Sequence, residues 1–193
     1  LLASTLFSRV ELKNKNIVLE IQKAIARVER IVNSTLLFTK GVHINKSFFN
    51  LLELKEECEQ AIASYNFSSD ISFEIEIFDL EIYADKALLG LVLQNLIYNA
   101  IDAIEEEEIE EPKICIKAYV KETNLHVEIL DNGCEIKDEK LVFEAFKTTK
   151  LKGNGLGLSL SKEIINAHKG ELGFKIKPKL FYFTLPFELI DNT

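Results

Sequence analysis

Three of the eight glycines of this chain lie within five positions, in the stretch FKTTKLKGNGLGLSLSKEI at residues 146–164. Gly153, Gly155 and Gly157 come directly before a run that is typical of a helix. Glycine lets backbone N–H groups approach an anion closely, and the N–H groups and dipole at a helix start favour negative charge. Two hydroxyl groups and a cation lie just upstream, on Thr148, Thr149 and Lys150. The pattern indicates a phosphate-binding site, although such glycines also occur in ordinary turns.

A second group of polar residues interrupts an apolar stretch, LVLQNLIYNAIDAI at residues 91–104. Asn95 and Asn99 are one helical turn apart and therefore share a face. Asparagine is a poor helix former and is costly to bury without partners, so two of them here suggest a polar task. An amide oxygen suits Mg²⁺, which prefers oxygen ligands and keeps waters and substrate phosphates in its shell. Capping, or hydrogen bonding to a neighbouring loop, is the alternative.

A third group follows in VEILDNGCEIKD, residues 127–138, where a strand-like run ends in Asp131-Asn132-Gly133. A carboxylate at the edge of a pocket accepts a hydrogen bond from an exocyclic amine such as that of adenine. An ordinary Asp-x-Gly turn is the alternative interpretation.

The elements that must position these residues are predicted from hydrophobic periodicity. The pattern predicts helices over 51–65, 86–104 and about 155–168, with Asp85 capping the second. It predicts strands at 46–50, 71–78, 80–84, 113–121, 125–130, 171–177 and 180–187, and an irregular stretch over 131–152. Clustered strands without regular βαβ alternation favour an α+β sandwich, in which helices cover one face of a sheet.

Residues 17–40 carry apolar residues in heptad spacing, which predicts one long helix. Its seam consists of Ile17, Ile21, Ala24, Val28, Ile31, Thr35 and Phe38, widened by Ile25, Val32 and Leu36. Leu2, Leu6 and Val10 recur at helical spacing before it, so an antiparallel helical hairpin with a short first arm is expected. Because a hairpin cannot bury so wide a face alone, we expect a dimeric four-helix bundle, or else packing on the following domain. The glycine of GVHIN separates a hairpin at 1–42 from a domain at 43–193.

Composition narrows the class of protein. A chain of 193 residues that is 47% hydrophobic can bury a substantial core, and its net charge of −8 argues against nucleic acid as a partner. Apolar runs fall short of the roughly 20 residues that span a bilayer, which predicts no transmembrane helix and no membrane contact. Three cysteines without metal-ligand spacing fit reduced thiols in a cytoplasmic protein. The first residue is Leu1 rather than Met, so we expect a fragment of a longer protein.

In order along the chain, these pieces resemble the N, G1, F and G2 boxes of the histidine kinase catalytic domain, a relative of the DNA gyrase ATPase. NLIYNA resembles the N box, LDNG the G1 box, FEAFKTTK the F box and GNGLGL the G2 box, within residues 47–187. The resemblance implies a protein-histidine kinase of two-component signalling that uses ATP and Mg²⁺. LLASTLF is similar to the corresponding stretch of nitrogen-regulation kinases, which implies that residues 1–42 are a truncated dimerisation and phosphotransfer hairpin.

The resemblance also implies roles for the matching residues. Asp131 would bind the adenine amine, Asn99 would ligate Mg²⁺, and Asn95 and Lys150 would lie near the phosphates. The other nucleotide-binding residues would be Gly133, Phe146, Thr148, Thr149, Gly153, Gly155, Leu156, Gly157 and Leu158. The expected partners are a second copy of the chain, joined through the N-terminal helices, and a response regulator whose aspartate accepts the phosphoryl group.

The chain departs from the family pattern at two positions. Glu135 replaces the second glycine of the G1 box and would repel phosphates if it pointed inward. Pro178-Lys179-Leu180 replaces the Gly-Thr pair that often precedes the last strand on the adenine side. The chain's histidines, His43, His126 and His168, all lack the surroundings of the family's phosphoacceptor, so the acceptor is expected to lie outside this sequence.

Three classes of function compete: a histidine kinase core, a hydrolysing ATPase of the gyrase kind, and a dimerisation scaffold that does not bind nucleotide. Gyrase-like relatives carry a glutamate one turn before the Mg²⁺ asparagine, where it activates water. This chain has Asn95 there, and an amide cannot act as a general base, which favours the kinase. Glu135 is the feature that favours the scaffold.

Overall fold

The computed structural model describes residues 15–65, 69–136, 138–147 and 155–187, and its contacts divide the chain into two units, Leu1–Lys40 and Gly41–Thr193. In the first unit, helix α1 spans Lys15–Lys40, which confirms the predicted long helix. Large apolar side chains along α1 are 47–60% exposed: Ile17, Ile21, Ile25, Val28, Val32 and Leu36. The short first arm of the predicted hairpin, with Leu2, Leu6 and Val10, lies outside the described residues.

The second unit contains two sheets. Strands β1 (Ser47–Asn50) and β3 (Glu81–Ala84) form an antiparallel pair. The larger sheet has the order β2-β4-β5-β7-β6, made of β2 (Ser72–Glu76), β4 (Lys113–Lys121), β5 (Asn124–Asp131), β6 (Glu171–Lys175) and β7 (Leu180–Pro186). Its β2–β4 pair is parallel and the other pairs are antiparallel. The strands lie where periodicity predicts them, although the predicted strand at 71–78 ends at Glu76.

The described residues of this unit form three α-helices, α2 (Leu52–Ser64), α3 (Lys86–Glu105) and α4 (Gly157–Ala167), and a short 3-10 helix at Glu139–Leu141. The Asp85 carboxylate accepts from the Leu88 N–H at 3.0 Å, which confirms the predicted cap of α3. α3 packs against α2, α4 and β5. Along β5, Leu125, Val127 and Ile129 are buried while their neighbours are half-buried, as expected for a sheet with helices on one face. The α+β sandwich is therefore confirmed.

Among the described helices, α3 alone is long and apolar enough to cross a bilayer by length and composition. Its apolar side chains instead fill the core of this unit: Leu89, Val92, Leu93, Leu96, Ile97, Ile101 and Ile104. Packing from several sides accounts for its composition, since a helix buried all round is apolar all round.

The pairing of β5 with β7 determines which residues meet at one end of the sheet. Leu130 pairs with Leu180, and the next positions on the two antiparallel strands are Asp131 and Lys179. Burial alternates along β5, so Asp131 continues the buried row of Val127 and Ile129. The sheet thus holds a carboxylate on its helix-covered side, opposite a lysine.

Candidate nucleotide-binding site

Asn95 joins α3 to the start of α4. Its Nδ2 donates to the Gly157 carbonyl oxygen and to Ser161 Oγ, each at 3.3 Å, and Ser161 is fully buried. Asn95 therefore joins two helices, rather than capping a helix or bonding to a neighbouring loop. Asn99 lies one turn further along the same helix and is half-buried.

The turn after β5 is held against the last turns of α3. Cys134 N–H donates to the Ala103 carbonyl at 2.9 Å, and the Gly133 N–H donates to Asp131 Oδ1 at 3.0 Å. A Cβ at Gly133 would lie 2.5 Å from the Ala103 carbonyl carbon, which is closer than any side chain tolerates. The glycine of Asp131-Asn132-Gly133 is required because backbone meets backbone there.

Asn132 and Glu135 complete this turn. The Asn132 amide accepts from Lys113 N–H at 2.8 Å and donates to the Glu111 carbonyl at 2.7 Å, so it fastens the turn to the start of β4. Glu135 is exposed. Its carboxylate therefore does not place a second buried charge beside Asp131.

Lys179 is the residue of this site that sequence reasoning did not assign. Its Nζ lies 2.6 Å from Asp131 Oδ1 and 2.6 Å from the Cys134 carbonyl oxygen. The two side chains are only 12% and 2% exposed, so this is a buried ion pair. Periodicity could not find it, because the contact depends on which strands are neighbours in the sheet.

Phe146 and Gly155 close a junction at the start of the glycine-rich segment. The Phe146 N–H donates to the Gly155 carbonyl at 3.0 Å, and both residues have left-handed backbones, with φ of +62° and +67°. A Cβ at Gly155 would lie 2.6 Å from the Phe146 carbonyl carbon. Phe146 itself is 65% exposed. The predicted residues Thr148, Thr149, Lys150 and Gly153 lie outside the described part of the chain.

Helix α4 begins at Gly157, preceded by buried Leu156, and no described side chain caps it. The next predicted residue, Leu158, is half-buried. The first N–H groups of a helix have no partner within the helix, so this end can face an anion. A Cβ at Gly157 would lie 3.5 Å from Asn95 Cγ, an ordinary contact, so space does not require this glycine as it requires Gly155.

α3 sets the separation between the two ends of the candidate site. Asn95 contacts the first turn of α4, while Ala103 holds the Asp131 turn. These two positions are about 12 Å apart along the axis, given the helical rise per residue. Such a spacing suits a ligand with a base at one end and phosphates at the other.

The described histidines have ordinary structural surroundings. His168 is buried, its Nε2 accepts from the Asp85 N–H at 3.0 Å, and its Nδ1 donates to the Ile164 carbonyl at 2.8 Å. Burial lowers the pKa of His168, because it disfavours the charged ring. His126 stacks on Tyr119 with ring centroids 5.1 Å apart, and His43 is exposed.

The comparisons with known proteins agree with this geometry. The family model of histidine kinase-, DNA gyrase B- and HSP90-like ATPases matches residues 84–189. The chain is 46% identical over 173 residues to the sensor histidine kinase FlgS of Helicobacter pylori, covering 89% of this chain and 45% of FlgS. It therefore spans less than half the length of that relative.

Solved structures of histidine kinases have the same fold. The nucleotide-free catalytic domain of histidine kinase ThkA superposes with a TM-score of 0.59 at 32% identity, covering 75% of this chain and 96% of that one. ThkA in complex with the response regulator TrrA gives a TM-score of 0.65 at 30% identity, and the match covers 92% of this chain and 51% of that one. The chain belongs to the histidine kinase-, DNA gyrase B- and HSP90-like ATPase family, and it contains the catalytic domain of a sensor histidine kinase.

Proposed function

We propose that residues 43–193 bind Mg·ATP and transfer its γ-phosphoryl group to a histidine on a dimerisation helix, for relay to an aspartate of a response regulator. The observation that supports this most is the position of α3. It holds the Asp131 turn at one end and, through Asn95, the start of α4, where no described side chain caps the helix. A base-binding carboxylate and a phosphate-binding helix start are thereby held at a fixed spacing.

In this proposal Asp131 accepts from the adenine amine, and the start of α4 faces the phosphates together with Thr148, Thr149 and Lys150. The half-buried amide of Asn99 offers the kind of oxygen that Mg²⁺ prefers, one turn from the residue that contacts α4. Bound there, Mg²⁺ would neutralise charge on the phosphates, which is the main requirement of phosphoryl transfer. The chain's own residues contribute positioning and hydrogen bonds.

The surroundings of Asn95 favour transfer over hydrolysis. Its Nδ2 is occupied by Gly157 and Ser161, and an amide does not take a proton from water. The exposed position of Glu135 also removes the feature that favoured a scaffold without nucleotide.

We further propose that residues 1–42 are the truncated dimerisation and phosphotransfer hairpin of a cytoplasmic homodimer. The exposed apolar residues of α1 support this, because a face of that kind is stable only when covered. The ThkA–TrrA complex supports a response regulator as partner, and a net charge of −8 argues against nucleic acid.

Titration with a fluorescent ATP analogue, with and without Mg²⁺, tests the binding step. We expect binding that strengthens with Mg²⁺, and we expect Asn99→Ala to lose that strengthening while Mg²⁺-free binding persists. Gln94→Ala is the matched control, since Gln94 lies on the same helix and lines the groove between α2 and α3. Absence of binding, or identical binding by the Asn99 variant, would refute the proposal.

A further inference from the structure

We propose that Lys179 reads the nucleotide base together with Asp131. The Asp131 carboxylate accepts from the 6-amino group of adenine, while the Lys179 ammonium donates to a ring nitrogen beside that group, N1 or N7. This inference rests on the proposed binding of Mg·ATP and adds a residue that determines base specificity.

The position of Lys179 is fixed by the sheet. It directly precedes β7, at the point where Leu180 pairs with Leu130 of β5, so the ladder brings its backbone alongside Asp131. Contacts of 2.6 Å to Asp131 Oδ1 and 2.6 Å to the Cys134 carbonyl then hold the ammonium itself. A long side chain with little exposure and two charge-assisted hydrogen bonds has a defined place at the site.

The hydrogen-bonding capacity of the pair allows a third partner. An ammonium has three N–H donors, and among the described residues Asp131 and Cys134 take two of them. A carboxylate has about four acceptor sites, so Asp131 can bond to Lys179, to the Gly133 N–H and to a base amine together.

The pair presents an acceptor and a donor side by side. The amide of Asn or Gln presents the same pattern, and it reads adenine by accepting from the 6-amino group and donating to the adjacent ring nitrogen. Asp131 Oδ1 and Lys179 Nζ, 2.6 Å apart, reproduce that arrangement with full charges. A purine with an oxygen at position 6 would instead place that oxygen against the carboxylate.

A different role for Lys179 predicts the opposite effect of its removal on ATP binding. If the ammonium only neutralised Asp131 and had to leave before the base entered, its removal would strengthen ATP binding. If the ammonium donates to the base, its removal weakens ATP binding, and this loss is seen only with nucleotides that have the contacted ring nitrogen.

The test compares binding of ATP, 1-deaza-ATP and 7-deaza-ATP to the chain in the presence of Mg²⁺. Each analogue keeps the 6-amino group and the triphosphate but replaces one ring nitrogen by C–H. We expect one analogue to bind roughly tenfold more weakly than ATP, in line with the discrimination of a bidentate base contact. In Lys179→Met that difference should disappear, whereas Lys175→Met, a control on neighbouring β6, should retain it.

Thermal unfolding checks that the variants fold. If Lys179→Met does not fold, Lys179→Gln serves, because its neutral amide can still bond to Asp131 but is a weaker donor than the ammonium, so the analogue difference should shrink there too. Three results would overturn the inference while leaving nucleotide binding intact. They are equal binding of all three nucleotides, tighter ATP binding by Lys179→Met, and an unchanged analogue difference in the Lys179 variants. A chain that binds no ATP at all would instead refute the proposed function.

Discussion

In the proposed function, recognition of the base depends on Asp131. It lies at the end of the buried row of β5, and its carboxylate bonds to Gly133 and Lys179. A buried carboxylate is stable only with such partners, and the same acceptor capacity allows it to select a ligand amine. Asp131 therefore pairs with Lys179 within the protein and, in the proposed function, also binds the ligand amine.

Asp131→Ala should weaken Mg·ATP binding roughly tenfold or more, because a hydrogen bond to a charged group contributes about 1.5–3 kcal/mol. The substitution also leaves Lys179 without its partner, so the free energy of unfolding should fall by about 3–5 kcal/mol. Calorimetric titration and urea denaturation measure the two effects. Glu135→Ala, which removes an exposed carboxylate from the same turn, is the control and should change neither appreciably. An unchanged dissociation constant for Asp131→Ala would exclude this base contact.

Residue types and spacing single out Asn95, Asn99 and Asp131, and the resemblance to the histidine kinase motifs assigns them to one site, which stays a prediction. Two asparagines on an apolar helix face and a carboxylate at a strand end are local signals. The resemblance places Lys179 on the adenine side as a departure from the family pattern, but no local signal predicts its contact with Asp131, which is 48 positions away in sequence. Only the pairing of β5 with β7 brings them together, and periodicity does not define strand order.

At the scale of elements, a hydrogen bond between Phe146 and Gly155 fixes the backbone just before α4. The Phe146 N–H donates to the Gly155 carbonyl, and both residues have left-handed backbones. A non-glycine residue in that conformation, such as Phe146, is strained, and strain of this kind concentrates at functional sites.

Gly155→Ala and Gly157→Ala provide a matched comparison. Alanine at position 155 would combine a left-handed backbone with a 2.6 Å clash, so we expect a loss of about 1–3 kcal/mol in stability and weaker ATP binding. Alanine at position 157 meets only an ordinary 3.5 Å contact and should shift stability by less than about 0.5 kcal/mol. Thermal unfolding and ATP titration of both variants measure these changes in stability and in ATP binding. Equal effects would show that the junction has no special backbone requirement.

His168 links the end of α4 to the start of α3, and this link should depend on pH. Its folded pKa is lowered by burial, so the unfolded chain binds a proton more readily. The contribution of the neutral ring is fully present above the unfolded pKa of about 6.5 and is lost as pH falls through that value towards the lowered pKa.

Urea denaturation between pH 7.5 and 5.5 measures this dependence. Stability should decrease on acidification by at most about 1.4 kcal/mol per pH unit from this one proton. His168→Gln should be less stable but less sensitive to pH, whereas the exposed His43→Gln should follow the parent chain. An identical pH profile for His168→Gln would assign the dependence to other groups.

The helices and strands themselves were predictable because their apolar residues recur over many positions, and helical spacing is clearly different from the alternation of a strand. α1 and β5 each follow their expected period. The parallel pairing of β2 with β4, and the division into two sheets, were not predictable, since they arise from contacts between distant segments. Tertiary packing decides such features.

At the scale of the whole molecule, the exposed apolar residues of α1 predict self-association. Val28→Lys would place a charge in the middle of this face and should shift the chain towards monomer, because burying an unpaired charge is unfavourable. Asn33→Lys introduces the same side chain on the opposite, exposed side of the helix and should leave the equilibrium nearly unchanged. Analytical ultracentrifugation over a concentration series distinguishes them. A parent chain that is monomeric throughout would contradict a dimer through α1.

The central claim is that this chain carries the catalytic machinery of a histidine kinase without an acceptor histidine of its own. His168 has both ring nitrogens in hydrogen bonds, His126 is stacked in a strand, and His43 follows α1. We therefore propose that a longer polypeptide supplies the acceptor by forming a mixed dimer with this chain. Asn99→Ala in that longer polypeptide would disable its own catalysis while leaving its histidine available.

Incubation of both chains with γ-labelled ATP and Mg²⁺ is the most direct measurement. We predict acid-labile label on the longer polypeptide only when this chain is present, and no label on this chain alone. Asn99→Ala in this chain should abolish the transfer. Label on this chain that maps to His43, His126 or His168, or an unlabelled longer polypeptide in the mixture, would contradict the account.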